Sequence, residues 1–487
     1  MSSTLQPPEP RASTRRPASR DRRRGALFAR ELRQLLVVAG PLVVSQLGQV
    51  GMTAADTIMV GPLGAEALAA AGLGSALHVA MLMLFTGTVL GMTPLVSQAF
   101  GAGDRDRCRA VLVQGIWMSV ALSLPLAWLT FLGGDIARLF GQEPGVAELA
   151  GEYMDALAWS ALPALLFLAF RQFLEGMGIT TPAMVMTFLG LAVNVAANAA
   201  LIFGWGGLAP AMGVVGSGWA TTITRWAMLG AMLAYLWLDP RLHPFRGVRW
   251  RPDRELLRRI AAIGVPIGAQ LGVEVGLISF TAVMVGWFGP VELAAHQVTI
   301  NLASVTFMVA LGVSLAGSIR VGQHVGARSA RGVRRATLAT YLCAVGFMSL
   351  CALAFFLFPQ ELVGLYTSDP AIVRVASALL LVAALFQVFD GAQVAGLCAL
   401  RGAADTRVPM LMALVGYWGI GVPVAYYLGF RTTLGPAGVW AGLSAALAVV
   451  AVLLAWRARR VLWDRDVLLR AAPARASAPE TSPAPLP

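Results

Sequence analysis

The chain has 487 residues, 57% of them hydrophobic and only 13% charged, with a mean hydropathy of +0.71; this composition excludes an ordinary soluble domain and indicates an integral membrane protein. The net charge of +12 does not point to nucleic acid, because the arginines are spread between apolar stretches rather than gathered on one face. Cys108, Cys343, Cys351 and Cys398 lack metal-ligand spacing, so neither a disulfide nor a cluster is expected.

In chain order, residues 1–33 are rich in Arg, Pro and Ser without a hydrophobic period and predict a disordered cytoplasmic arm. The Arg15 and Arg16 pair precedes no short apolar region with a cleavage site, which excludes a secretory or twin-arginine signal. About twelve apolar stretches follow, each near the ~20 residues that cross a hydrocarbon core. They are centred on 35–60, 68–96, 110–133, 153–171, 183–205, 212–237, 260–287, 293–319, 337–358, 372–399, 409–430 and 436–456. Unbroken runs of this length predict helices, since a barrel would show alternation. Pro41, Pro163, Pro266 and Pro423 are candidate kinks within them.

Arginines cluster before the first span (Arg11 to Arg33), after the second (Arg105, Arg107, Arg109), sixth (Arg241 to Arg259), eighth (Arg320 to Arg335) and tenth (Arg401, Arg407), and after the twelfth (Arg457 to Arg475). The other gaps hold little more than Arg138, Arg374 and Arg431. The positive-inside rule then places both termini and every even gap in the cytoplasm.

The chain repeats itself at an offset of 225 residues, from Pro41 over Pro266 to Ala102 over Ala327, with MVGPLGAEALAA lying over MVGWFGPVELAA. A weaker match sets EGMGITTPAM over RGAADTRVPM. Six spans per half makes the repeats parallel, and such bundles place a substrate cavity at their interface. The expected organisation is therefore an all-α membrane protein of twelve transmembrane helices in two homologous six-helix lobes around a central cleft. The first lobe is 34–238, a cytoplasmic linker 239–259, the second lobe 260–458, and a cytoplasmic tail 459–487.

Three acids stand inside spans: Asp56, Glu274 and Asp390. A lone charge there costs roughly 2.5–3.5 kcal/mol on insertion scales and so marks an ion or substrate path. Gln49, Thr53 and Asp56 recur at i, i+4 and i+7 and share a helix face; Gln270 and Glu274 follow in the seventh span, with Thr281 at the position of Asp56. The tenth span carries Gln387, Asp390 and Gln393, and the fifth Asn194 and Asn198. Two oxygen-rich clusters can be drawn from these residues, with polar glue between helices as the alternative for the amides. Arg225 is an intramembrane base whose partner the spacing leaves open.

These residues and their flanking motifs resemble the multidrug and toxic compound extrusion (MATE) transporters, in particular the NorM-type branch. The carriers are AADTIMVGPLGAEALAA in the first half, and ELAAHQVTINLASVTFMVALGVSLAGSIRVGQHVGA with LFQVFDGAQVAGLCALRGAADTRVP in the second. The resemblance implies a V-shaped cleft and antiport of organic cations against Na+ or protons, with coupling at Asp56, Glu274 and Asp390. Na+ would be held at Glu274 and Asp390, or at Asp56 with Asn194 and Asn198, while Gln49, Thr53, Gln270, Gln387, Gln393 and Phe386 support the cavity. Phe386 stands where NorM-type relatives can carry an aromatic hydroxyl; it can face a cation but donates no oxygen, which gives proton coupling through Asp56 more weight. The expected partners are small organic cations and the lipid bilayer, not nucleic acid, and the chain is expected to be a monomer without a cofactor. No Walker-type loop or H-E-x-x-H motif is present, so neither ATP-driven transport nor hydrolysis is supported. Export of a lipid-linked precursor or metabolite is the alternative reading.

Overall fold

The computed structural model describes residues 18–205, 210–239 and 250–464. The first half contains α1 (Ala18–Val60), α2 (Ala65–Leu90), α3 (Met92–Gly101), α4 (Arg105–Phe131), α5 (Gly133–Leu139), α6 (Pro144–Ala158), α7 (Ala161–Gly176), α8 (Thr181–Ile202) and α9 (Gly213–Leu238). The second contains α10 (Arg254–Gly286), α11 (Pro290–Gly326), α12 (Ala330–Leu357), α13 (Pro359–Gly364), α14 (Pro370–Gly402), α15 (Arg407–Leu414), a π-helical segment Val415–Gly421, α16 (Val422–Phe430) and α17 (Pro436–Trp463).

Among the described residues, ten helical segments are long and apolar enough to span a membrane, and α6 with α7 forms an eleventh, bent by 49° just before Pro163. The twelfth is α9, 26 residues long and carrying Arg225. The twelve-helix, two-lobe layout thus fits, with local causes for its irregularities. Asp104, Asp253, Ser329 and Asp369 cap α4, α10, α12 and α14 by accepting from backbone N–H groups of the first turn. Gly64 and Gly289, equivalent in the repeat, begin α2 and α11 with φ of 106° and 147°, a region that favours glycine.

Three expected boundaries move. The arm expected to be disordered to residue 33 is helical from Ala18, continuing α1; residues 1–17 lie outside the described residues. The expected linker loses its last residues to α10, which starts at Arg254, and 240–249 are not described. The expected tail is helical to Trp463, with 465–487 not described.

The halves meet through reciprocal contacts that obey the repeat. A Cβ on Gly87 would strike the backbone of Gly268, and one on Gly312 that of Val43, its counterpart pair. In the same way Gly101 abuts the carbonyl of Gln323 and Gly326 that of Gln98. The two glutamines also clasp the opposite lobe: Gln98 donates to the Gly402 carbonyl at 3.0 Å and Gln323 to that of Gly176 at 3.4 Å. Glycine at these positions permits backbone-to-backbone approach, the usual way apolar helices pack closely in lipid. The first half of α1 leaves its own lobe, packing Leu35, Ala39 and Leu42 on Val313, Ala316 and Ile319 of α11, whereas Gly48 and Gly51 lie against Thr187 and Leu191 of α8.

These cross-lobe contacts gather toward the end that carries Arg105, Arg107 and Arg328, where the lobes close on each other. Gly101→Val is expected to pry this closed end apart, because its side chain would occupy the space of the Gln323 backbone. Spin labels at the exposed, repeat-equivalent positions Asp106 and Arg331 should report a longer distance. The control Gly40→Ala, where a Cβ meets nothing within 4 Å, should leave that distance unchanged.

Candidate functional site

In the first lobe α1 and α8 bring their polar groups together. Asn194 and Asn198 of α8 are fully buried. Both amide nitrogens donate to Asp56 Oδ1, at 3.0 Å from Asn194 and 2.6 Å from Asn198, and Asn198 also donates to Asn194 Oδ1 at 3.3 Å. The i, i+4 spacing on α8 aims both amides at one carboxylate oxygen. The Asn198 carbonyl oxygen is buried without a hydrogen-bond partner, so the cluster keeps an acceptor free. Gln49 and Thr53 do not join it: both are exposed, with Gln49 donating to Gln46 and Thr53 to the carbonyl of Gln49.

Arg225 finds neutral partners rather than a carboxylate. Its Nη1 donates to Ser160 Oγ at 3.3 Å and lies 3.5 Å from His78 Nε2, while His78 Nδ1 lies 3.5 Å from Thr130 Oγ1. The guanidinium charge nonetheless acts on Asp56, giving the first lobe an acid and a built-in base.

In the second lobe Glu274 of α10 and Asp390 of α14 line one cavity of about 80 Å³, several times the ~10–15 Å³ that admits one water. Thr281, His296, Phe386 and Tyr417 also line it. Phe386 stacks edge-on against Trp440 with ring centroids 5.6 Å apart, and Trp440 donates to His296 Nδ1 at 3.2 Å. Gln387 is buried and donates to Thr306 Oγ1, so it braces α14 against α11. Gln270 accepts from Arg401 at 3.0 Å one turn before Glu274, and the Arg401 charge acts on Glu274. Gln393 lies beside Tyr417. Among the described residues no group of three or more His, Cys, Asp or Glu could hold a metal ion, so oxygen from amides, hydroxyls and paired carboxylates is the coordination these lobes can supply.

Sequence reading missed three groups. Arg401, taken as an orientation charge, is buried and belongs to the Glu274 neighbourhood. Arg171 and Glu175 form a buried ion pair at 2.5 Å, because α7 runs five residues past the expected end of the fourth span; the i, i+4 spacing of opposite charges was a readable signal. Tyr417 had no local signal, since only the π-helical segment turns it into the cavity.

The family model described as MatE matches residues 41–200 and 266–427, once in each half. The chain is 37% identical over 441 residues to a probable multidrug resistance protein NorM of Mesorhizobium japonicum, covering 88% of this chain and 94% of that protein. It is 39% identical over 426 residues to a multidrug resistance protein NorM of Burkholderia vietnamiensis, covering 86% and 92%. Its fold matches the crystal structure of a eukaryotic MATE transporter with a TM-score of 0.82 at 20% identity, covering 91% of this chain and 99% of that one. It also matches an outward-facing multidrug resistance MATE family transporter with a TM-score of 0.81 at 22% identity, covering 90% and 97%.

Proposed function

The chain belongs to the MatE family, and from that premise we propose that it is a multidrug efflux transporter working by secondary antiport, not an enzyme. The observation that carries the coupling mechanism is the placement of acids among polar side chains inside both lobes, with cross-lobe contacts gathered toward the arginine-rich end. Asp56 sits under two amides in one lobe, and Glu274 faces Asp390 across a cavity in the other. Loading a cation or proton onto these carboxylates changes the charge inside a lobe, and such a change drives alternating access when the two lobe arrangements bind the ion differently. Amphipathic organic cations enter the cleft between the lobes; the acids give that interior a negative character that suits them. With the arginine-rich end assigned to the cytoplasm by the positive-inside rule, the cross-lobe contacts close the cleft on that side, and we place the chain in the inner membrane.

The test uses inverted vesicles, a fluorescent organic cation, and a Na+ or a pH gradient imposed separately. At least one gradient is expected to drive uptake of the dye into the vesicles, and its collapse to stop it. Transport that neither gradient drives would overturn the antiport reading.

A further inference from the structure

We propose that the phenolic oxygen of Tyr417 is a direct ligand for the coupling cation, completing the second-lobe cavity as a monovalent-cation site. The proposal rests on reading that cavity as the ion site of the antiporter. Nothing in the local sequence singles out Tyr417, and four observations place it there.

The first is position. Tyr417 lines the same cavity as Glu274 and Asp390 and is only 1% exposed. Both carboxylates act on its phenol. The second is unmet hydrogen-bonding capacity. Its Oη, buried, meets no partner at hydrogen-bonding geometry, although the Gln393 side chain lies close enough to act on the phenol, and Gln393 Oε1 is itself unpaired. Buried polar atoms are nearly always paired, so two adjacent orphan oxygens beside two carboxylates mark a place where something else completes the bonding. A hard cation such as Na+ accepts oxygen ligands of this mixed kind, as Ca2+ and Mg2+ do.

The third is the backbone. Tyr417 sits on the π-helical segment Val415–Gly421, which contains three glycines and is followed by Pro423. Proline lacks an N–H and the glycines are permissive, so the helix widens there. The segment is held in place by Trp418, whose Nε1 donates to the Val273 carbonyl at 3.2 Å, next to Glu274. Such widened turns recur at functional sites because they re-aim side chains.

The fourth is the repeat. At the offset of the second match, α15 to α16 correspond to α8, but Ile420 and Val424 stand where α8 has Asn194 and Asn198. The second lobe has therefore lost the amide pair that serves Asp56, and the widened turn brings an oxygen from the same helix by a different route. The charges also fit a monovalent ion. Two carboxylates against the Arg401 guanidinium leave one net negative charge when both acids are ionised.

The experiment measures binding of radiolabelled Na+ to the purified full-length chain, with thermal unfolding in Na+-free buffer as the check on folding. The wild type should bind Na+ saturably. Tyr417→Phe keeps the ring and removes only the oxygen; it should weaken Na+ binding by about tenfold or more, the scale set by one contact to a charged group, with the Na+-free unfolding midpoint unchanged. The proposal falls if the wild type binds no Na+, if Tyr417→Phe binds as the wild type does, or if it already unfolds at lower temperature without Na+, which would make the hydroxyl a packing group. Binding without any dye efflux would leave this proposal standing and remove the efflux reading instead.

Discussion

Efflux should fall to background when Asp390 is replaced by Asn, and equally when Asp56 is. Each change is nearly isosteric. Asn at position 56 can still accept from Asn194 and Asn198 through its carbonyl oxygen, and the wall of the second cavity is otherwise intact. What is lost is the ability to change charge. Moving a two-state transporter from 1:99 to 99:1 takes roughly 5.5 kcal/mol of differential binding, and an amide that holds its charge constant removes the main source of it. The measurement is dye transport in inverted vesicles normalised to the amount of protein in the membrane. If Asp56→Asn, Glu274→Gln and Asp390→Asn all transport at the wild-type rate, the carboxylate mechanism is wrong. Comparing the single variants under separate gradients also assigns the ion: the lobe whose acid matters under a given gradient is the lobe that carries that ion.

Breaking the ion cluster at the closed end should shift the lobes as strongly. Glu31 of α1 is 6% exposed and accepts from Arg320 of α11 through both oxygens, at 2.9 Å each, and its Oε2 lies 3.0 Å from His324 Nε2. Arg320 further donates to Gln34 at 2.7 Å and to Gln323 at 3.0 Å. Arg320→Met leaves Glu31 with His324 as its one remaining partner, and stripping the main partner from a buried charge costs up to about 3–5 kcal/mol. That reaches the few kcal/mol that separate conformers of a two-state protein, so the closed arrangement should lose its majority. Labels at positions 106 and 331 should then report a longer distance, and efflux should drop. Adding Glu31→Gln to Arg320→Met removes the stranded charge and should restore most of the closed population. A single variant that keeps the wild-type distance would show that the glycine contacts alone hold this end.

Much of this organisation was legible along the chain. Twelve spans, the repeat at 225 residues and the three acids follow from rules that act residue by residue. Asp56 with Asn194 and Asn198 was a cluster drawn from spacing, and the side chains do meet. Gln49 and Thr53 share the helix face by the same spacing, yet they stay outside, because α8 covers only part of the α1 face. The arm before residue 33 lacks a hydrophobic period, and its helix from Ala18 is seen only in context, with Phe28, Leu32 and Leu35 set against α11 and α12 and Glu31 against Arg320. Arg320 and Arg401 fit the positive-inside pattern equally well as loop charges, and nothing local distinguishes a buried arginine from an interfacial one.

The sequence by itself determined the class, the number of spans, the parallel repeat and which residues are expensive in lipid. Bilayer insertion is judged segment by segment, on apolar length and charge alone. The tertiary structure decided the partners: which acid meets amides, which meets another acid, that Arg225 is held by Ser160 and His78, and that Tyr417 enters the second cavity. Those pairings join residues more than fifteen positions apart, many of them more than a hundred, and depend on how far a helix is widened, bent or crossed by its neighbour, quantities set by packing between helices.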